Sequence, residues 1–442
     1  MTQYKPSLQP PTQSGLLTRQ PAPHRQAAWP GQGHRSASRR GGSLFKVVSA
    51  LAVVGVIIAV SLTNPRGNAS SEGRAAKAAP GTTAAPSAPS SPEAKQPAQP
   101  QASPGKGQIT FDPALIRFGE VVPRPKAPGT LRVTTFNVEN LFDDKDDPAL
   151  TGDVDDAKMT KATEQLKAAA AAIALVNPDV LALQEVESLQ AVTWFRDNHL
   201  AGQGYDHIAS IDAGDGRGIE QAVLSRFPLS DVKNFPRMEL GGKQPASWGD
   251  RPNERAGRPF VFTRSPMQVT VTVPTSSVQE LLVKAGQKAP VAKDYKVTLL
   301  VVHLKSGREF GEQRTAEAEA TVRLVRDIEK ADHKANVLVL GDFNATLNRE
   351  EMVTFSRSGL ASIFQERDPR DAKTMTHASG RCIDHVLFNA NVQPELVLAS
   401  RFVLGTPARP QGADWRTTPA PPGYSSDHYP VSVDLRPVEA AR

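Results

Sequence analysis

The chain has 442 residues, with 52 Lys/Arg against 46 Asp/Glu and a formal net charge of +6. Residues 1–108 hold 12 of the basic and 2 of the acidic residues, which leaves 40 basic and 44 acidic beyond them. The basic balance therefore belongs to the N-terminal quarter, which excludes reading the rest as a generally basic nucleic-acid binder. The one cysteine, Cys382, excludes an intramolecular disulfide and fits either a reducing compartment or an exported protein without disulfides.

In chain order, residues 1–43 are rich in Pro, Gln, Gly, Ser and Arg without an apolar period, and read as a disordered basic tail. Residues 44–62 contain an uncharged run from 47 to 62, which Leu44 and Phe45 extend if Lys46 snorkels. Flanked by sequence with nothing to pack on, this run is expected to be a transmembrane or signal-anchor helix. Arg35, Arg39, Arg40 and Lys46 precede it, so the N-terminus should stay inside and the remainder should cross. The expected location is the cell membrane, single-pass with an extracytoplasmic catalytic domain; secretion after signal cleavage is the alternative. Residues 63–108, rich in Ala, Pro and Ser, read as a semi-extended spacer.

Residues 109–442 have a globular pattern. Strands are predicted at 131–136, 180–183, 221–225, 267–273, 297–302, 337–340, 383–388 and 431–435. Helices are predicted at 160–176, with Leu166, Ala170 and Ile173 on one face, and at 312–331, with Val322, Val325 and Ile328 inward. Asn177-Pro178 terminates the first helix. Residues 279–295 read as an inserted excursion, and no internal repeat is visible. Interleaved strands and helices, with several strands in succession, predict a mixed sheet or two packed sheets with helices outside.

Metal-capable and proton-transferring side chains recur at the ends of the apolar strands. Asn137 follows the first, Gln184 and Glu185 the second, His303 the 297–302 run, and Gly341-Asp342-Phe343-Asn344 the 337–340 run. Asp384 opens another, and Ser426-Asp427-His428 precedes the last. A strand must end in something polar, so one such event is uninformative; six drawn from Asn, Asp, Glu and His are not. Strand ends at one rim of an α/β fold converge on a cleft. Carboxylates and carboxamides there are hard oxygen donors, which favour Mg²⁺, with Mn²⁺ or Ca²⁺ as alternatives, over a closed zinc site. Such an ion beside a phosphoryl oxygen spreads transition-state charge, while an Asp or His takes a proton from water.

Thr135-Phe136-Asn137-Val138-Glu139-Asn140, Pro178-Asp179-Val180-Leu181-Ala182-Leu183-Gln184-Glu185-Val186, Val302-His303-Leu304-Lys305, Gly341-Asp342-Phe343-Asn344, Ile383-Asp384-His385 and Ser426-Asp427-His428 together resemble the endonuclease/exonuclease/phosphatase superfamily. The resemblance runs from about 131 to 435. It implies an α/β fold, a four-layer αββα sandwich of two packed mixed sheets flanked by helices. It implies that Glu185 is the principal metal ligand, helped by Asn137 and Asp427. Asp342 and Asn344 would position or deprotonate the water; His428, paired with Asp384, would contact the scissile phosphate; His303 would stand where some members place a second, acidic histidine. Whether Asp342 or His428 is the base stays open.

Arg217 and Lys305 are candidate substrate-binding residues, with a solvated loop cation as the alternative for each. Arg314 is expected in a structural ion pair near Glu317 and Glu319, and Asn140 to brace Asn137. His207, His333, His377 and His385 are expected on the surface or in packing. Arg251, Arg255, Arg258 and Arg264 form a segment that is either a phosphate-binding patch or a solvated loop.

The reading favoured by these residues is a metal-dependent phosphoesterase that hydrolyses phosphodiesters, most simply an extracytoplasmic nuclease. Its expected partners are a phosphodiester substrate such as nucleic acid and, through residues 44–62, a membrane, with a monomeric catalytic domain. A lipid head-group phosphodiesterase or small-molecule phosphatase is the alternative within the class. A non-catalytic surface binding module is the alternative outside it.

Overall fold

The computed structural model describes residues 111–145, 159–287 and 293–439. The tail, apolar run and spacer expected at 1–43, 44–62 and 63–108 lie outside them. Among the described residues, no helix is long and apolar enough to cross a membrane.

The strands in chain order are β1 (Leu131–Leu141), β2 (Val180–Val186), β3 (His207–Ser210), β4 (Glu220–Ser225), β5 (Leu229–Lys233), β6 (Glu239–Lys243), β7 (Ser247–Trp248), β8 (Arg251–Pro252), β9 (Pro259–Val261), β10 (Met267–Val273), β11 (Tyr295–His303), β12 (Val337–Asp342), β13 (Ala361–Ser362), β14 (Asp384–Phe388), β15 (Leu396–Val403) and β16 (Val431–Leu435). The helices are α1 (Thr163–Val176), α2 (Leu189–His199), α3 (Thr275–Lys284), α4 (Gly311–Ala331) and α5 (Glu350–Arg357).

Two six-stranded sheets form, in the orders β15-β16-β1-β2-β4-β3 and β13-β14-β12-β11-β10-β5. Each has one parallel pair at its centre, β1 with β2 and β11 with β12, and antiparallel strands on either side. A helix connects each parallel pair, α1 in one sheet and α4 in the other. This shared plan was invisible as a repeat because it lies in backbone pairing and not in side-chain identity.

Side-chain alternation makes the layers. Val180 and Ala182 face the core between the sheets, whereas Leu181 and Leu183 face α1 and α2. In the other sheet Leu299, Val301, Leu338 and Leu340 face inward, while Leu300, Val302, Val337 and Val339 pack with α4 and α5. Both faces of each sheet are covered, which is why the central strands read as unbroken apolar runs. The result is the expected four-layer αββα sandwich.

Helix α1 stops as the sequence indicates: Asn177 adopts φ 53° and its N–H returns to the Ile173 carbonyl at 2.8 Å. Part of the supposed excursion at 279–295 is instead helical. Val278 and Leu282 of α3 are buried in the inter-sheet core. Helices α2 and α5, the short strands β3, β5–β9 and β13, and the eight-residue β15 were not foreseen.

Candidate active site

The inward-facing rows that build the inter-sheet core continue to one rim and end there in polar residues. Leu131 and Val133 lead to Asn137, Leu299 and Val301 to His303, and Leu338 and Leu340 to Asp342. Strand register brings the ends together. His303 pairs with Asp342 across the parallel ladder, and Asp342 with Asp384 across the antiparallel one. Thr135 pairs with Val431, so Ser426–His428, just before that strand, lie at the Asn137 end.

Glu185 has the wrong parity to point inward on a regular strand. The register shifts between Gln184 and Val186 on both neighbouring ladders, and Glu185 takes φ 63°. This bulge turns the carboxylate toward the rim. Glu139, Asn140 and Asn344 also have positive φ, at 53°, 56° and 49°. Backbone strain of this kind is tolerated where the surroundings impose it, and here it gathers at the site. Gly341 permits the closest approach: a Cβ there would lie 2.0 Å from the Val302 carbonyl oxygen.

Asp342 Oδ2 is the hub. It accepts from Asn137 Nδ2 at 3.2 Å and Asn344 Nδ2 at 3.1 Å, with His303 Nε2 at 3.4 Å and His428 Nε2 at 3.7 Å. Its Oδ1 accepts from the Asn344 N–H at 2.8 Å. Asn137 Nδ2 also donates to Glu185 Oε1 at 3.2 Å, and Glu185 Oε2 accepts from the Asn140 N–H at 3.2 Å. Asp384 holds His428 Nδ1 with both carboxylate oxygens, at 3.0 and 2.9 Å. The Ser426 hydroxyl anchors this segment on the Asn137 carbonyl at 2.8 Å.

Burial and charge set the protonation states. Burial pushes Asp342 up to about 7, helped by Asp384 and Glu185 and opposed by His428. Burial opposes a charge on His428, but Asp384, Asp342 and Asp427 outweigh it and hold its pKa well above the usual histidine value. His303 goes the other way: burial, with Arg264 and His428 nearby, keeps its pKa well below 6.5, so it is neutral. Its Nδ1 is buried without a hydrogen-bond partner. A neutral imidazole there is a hydrogen-bonding group at the rim.

The expected metal ligands are not all arranged as ligands. Asn137 turns its amide nitrogen to the carboxylates, and its Oδ1 accepts from the Glu139 N–H at 3.0 Å. Asp427 pairs with His377 Nε2 at 3.2 Å and His428 Nε2 at 3.9 Å. The side-chain groups whose ligand atoms converge are His377 with Asp427 and His428, and Asp342 with Asp384 and His428. These acidic and histidine groups could hold a divalent cation, which would supply charge neutralisation to a phosphate.

Sequence reasoning placed His377 among ordinary residues, yet its ring meets that of His428 edge-on at 4.5 Å. Glu139, Tyr424 and Lys161 were missed as well. The Tyr424 hydroxyl donates to Glu139 Oε2 at 2.7 Å, and the buried Lys161 Nζ to the Glu139 carbonyl at 2.8 Å. Burial pushes Glu139 up, with Asp427 adding to it. Only the assembled fold brings these to Asp427; no local motif marks them. Asn140 braces Glu185 and not Asn137.

Among the candidate cations, Arg217 Nη2 donates to Asn140 Oδ1 at 2.5 Å, at the edge of the site. Lys305 Nζ lies 4.7 Å from the centre of the Phe310 ring, and its pKa is lowered by burial and by Arg264. Arg314 is structural, but its partner is Glu351 of α5 at 2.7 Å. The 251–264 arginines are not one patch. Arg251, Arg255 and Arg258 are exposed, whereas Arg264 is buried and donates to the His303 and Leu304 carbonyls at 3.1 and 2.9 Å. His385 is a packing residue as expected, bonded to the Ala345 carbonyl at 2.9 Å.

A cavity of about 450 Å³ opens on the site, with Glu185, His377, Asp427, His428 and Trp415 in its wall. A larger cavity, about 810 Å³, lies where β11 and β12 begin, among Lys296, Thr298 and Asn336, and contains none of the site residues.

The model of the Endonuclease/Exonuclease/phosphatase family matches residues 134–428, from the first of these strands to His428. The chain belongs to that family. Members of the endonuclease/exonuclease/phosphatase family hydrolyse phosphoester bonds. No curated protein matches the sequence. Similar solved structures include the human Nocturnin catalytic domain, at 17% identity over 70% of this chain and 95% of that one, TM-score 0.42. A mannosyl-6-phosphatase of Bacteroides thetaiotaomicron has 16% identity over 69% and 99%, TM-score 0.42. Truncated TDP2 of Caenorhabditis elegans has 17% identity over 69% and 97%, TM-score 0.40.

Proposed function

We propose that the chain is a divalent-metal-dependent phosphodiesterase, most simply a nuclease, working outside the cytoplasm from a membrane tether at residues 44–62. The observation that carries the chemistry is the Asp342 hub, with two carboxamides and two histidines within 3.7 Å of one carboxylate oxygen. In this reading Glu185, with Asp427 and a rotated Asn137 amide, holds Mg²⁺, which supplies electrostatic stabilisation at the phosphate. Asp342, with a pKa of about 7, accepts the proton of the attacking water near neutral pH, and Asn344 orients that water. His428, kept protonated by Asp384, donates to a phosphate oxygen. His303 is a neutral hydrogen-bond donor to the same phosphate.

Nucleic acid is preferred over a lipid head group because Trp415, 63% exposed, stands in the cavity wall as a ring on which a base can stack, with the Arg416 guanidinium 4.7 Å from its centre. Among the described residues the other exposed large apolar side chains, Val121, Val122, Met159, Leu189, Val232 and Val283, do not supply a second aromatic ring for insertion into a bilayer. The test is an assay of the full-length chain on plasmid DNA, RNA, sphingomyelin, inositol phosphates and bis(p-nitrophenyl) phosphate, with Mg²⁺, Mn²⁺ and Ca²⁺ varied. Mg²⁺-dependent cleavage of the nucleic acids that vanishes in Glu185→Ala is expected. Equal turnover in that variant, or hydrolysis of monoesters alone, overturns the reading.

A further inference from the structure

A further cavity, about 670 Å³, adjoins the site, and Trp415 is not in its wall. Asn344 and Ser379 belong to its wall, and Ser379 also lines the cavity that holds His428. Four arginines, Arg308, Arg314, Arg349 and Arg381, also line it, among the uncharged Ser306, Gly307, Ala345 and Thr346. Arg314 is fully engaged, by Glu351 and by the carbonyls of Lys305 and Gly307 at 2.9 and 2.6 Å, so it fixes the turn from which Arg308 projects. The other three are exposed. Arg308 has no side-chain partner among the described residues. Arg349 reaches only the already bonded Glu351, at 3.9 Å, and is 53% exposed. Arg381 donates through Nε to the Ser379 hydroxyl at 2.8 Å, which leaves both terminal nitrogens of its guanidinium open.

Three exposed guanidinium groups around one hollow repel one another, and the one carboxylate near them, Glu351, lies 3.9 Å from Arg349 and is already shared with Arg314. They match an anion that several planar forks can grip at once, which is the geometry of a phosphate. We propose that this cavity is a subsite for a second phosphate of the substrate, one that is not cleaved. The inference rests on the phosphodiesterase reading and deepens it: the substrate is a phosphodiester chain that crosses the rim, with a base toward Trp415 and a neighbouring phosphate among Arg308, Arg349 and Arg381. A mono-phosphorylated small molecule leaves this hollow empty.

The neighbouring phosphate can lie on the 5′ or the 3′ side of the scissile bond, and the test separates the two. Binding is measured by calorimetry with the full-length Glu185→Gln protein, in which turnover is removed. The probes are a thymidine dinucleotide with no terminal phosphate, with a 5′ phosphate, and with a 3′ phosphate. One of the phosphorylated probes should bind about tenfold tighter than the plain dinucleotide. Adding Arg349→Gln and Arg381→Gln should reduce that gain to within about twofold, while Arg349→Lys with Arg381→Lys should keep part of it. Equal affinity for all three probes, or a gain that survives the glutamine pair, overturns the proposal. Because binding is read without cleavage, absence of nuclease activity in the wild type would count against the functional reading and leave this comparison intact.

Discussion

Strands β1 and β16 carry a buried polar cluster at each end, and the two clusters differ in kind. At one end Arg132 grips Asp434 through Nε at 2.7 Å and Nη2 at 3.1 Å, and its remaining nitrogen caps the Arg124 and Val176 carbonyls. Asp179 beside it is met by Lys126 at 2.6 Å and Arg226 at 2.7 Å. Each of the two carboxylates meets at least one cation, three cations in all, and none of these side chains has an unpaired buried polar atom, so this end fastens the sheet. At the other end Glu185, Asp342, Asp384 and Asp427 share one rim with His428 as the principal counter-charge. Asp342 is pushed up to about 7 and His303 has an unsatisfied nitrogen. A cluster that closes on itself stabilises; one left over-charged in a cleft marks a functional site.

The contrast breaks most visibly through Asp342→Asn. Turnover should fall by about a thousandfold or more, as for loss of a general base. The same change should stabilise the metal-free protein. The native carboxyl is raised from 3.8 to about 7, so its ionisation in the folded state is disfavoured. The resulting penalty is absent below about pH 4, grows as pH rises, and is complete above about pH 7. Melting curves should therefore show the variant ahead of wild type at pH 8 and close to it near pH 4; a variant less stable at pH 8 contradicts the electrostatics.

Arg132→Met should behave in the opposite sense. It leaves Asp434 buried and unpaired, at a cost of about 3–5 kcal/mol in denaturant unfolding. The kcat of the protein that remains folded should not change; a parallel loss of kcat would join the two clusters functionally. Gly341→Ala comes next. With the Val302 oxygen 2.0 Å from the new Cβ, strand β12 must move, for about 3 kcal/mol or more. The smallest effect is expected from His377→Ala. It removes the partner of Asp427 and the ring packed on His428 but no direct partner of Asp342, and kcat should drop about tenfold with little change in melting temperature.

The legible part of this molecule was the part written in strand periodicity and strand ends. Unbroken runs such as 297–302 and 337–340 announced sheets covered on both faces, and the polar residues closing them announced the rim. Asn137, His303, Asp342, Asp384 and His428 are indeed brought together. What was not legible depends on backbone and tertiary context. Nothing local says that a bulge re-aims Glu185, or that Asn137 presents nitrogen instead of oxygen. His377 and Tyr424 reach the site from loops whose course is set by packing. Arg314 sits among glutamates on its own helix, yet it bonds Glu351 from the next one, because α5 covers that turn.

Calorimetric titration of Mg²⁺ into wild-type protein and into Glu185→Ala tests the central claim most directly. Saturable binding in the wild type that is lost in the variant is the predicted result. Unchanged binding in the variant, or no binding in the wild type, would mean that the charged rim is not a metal centre.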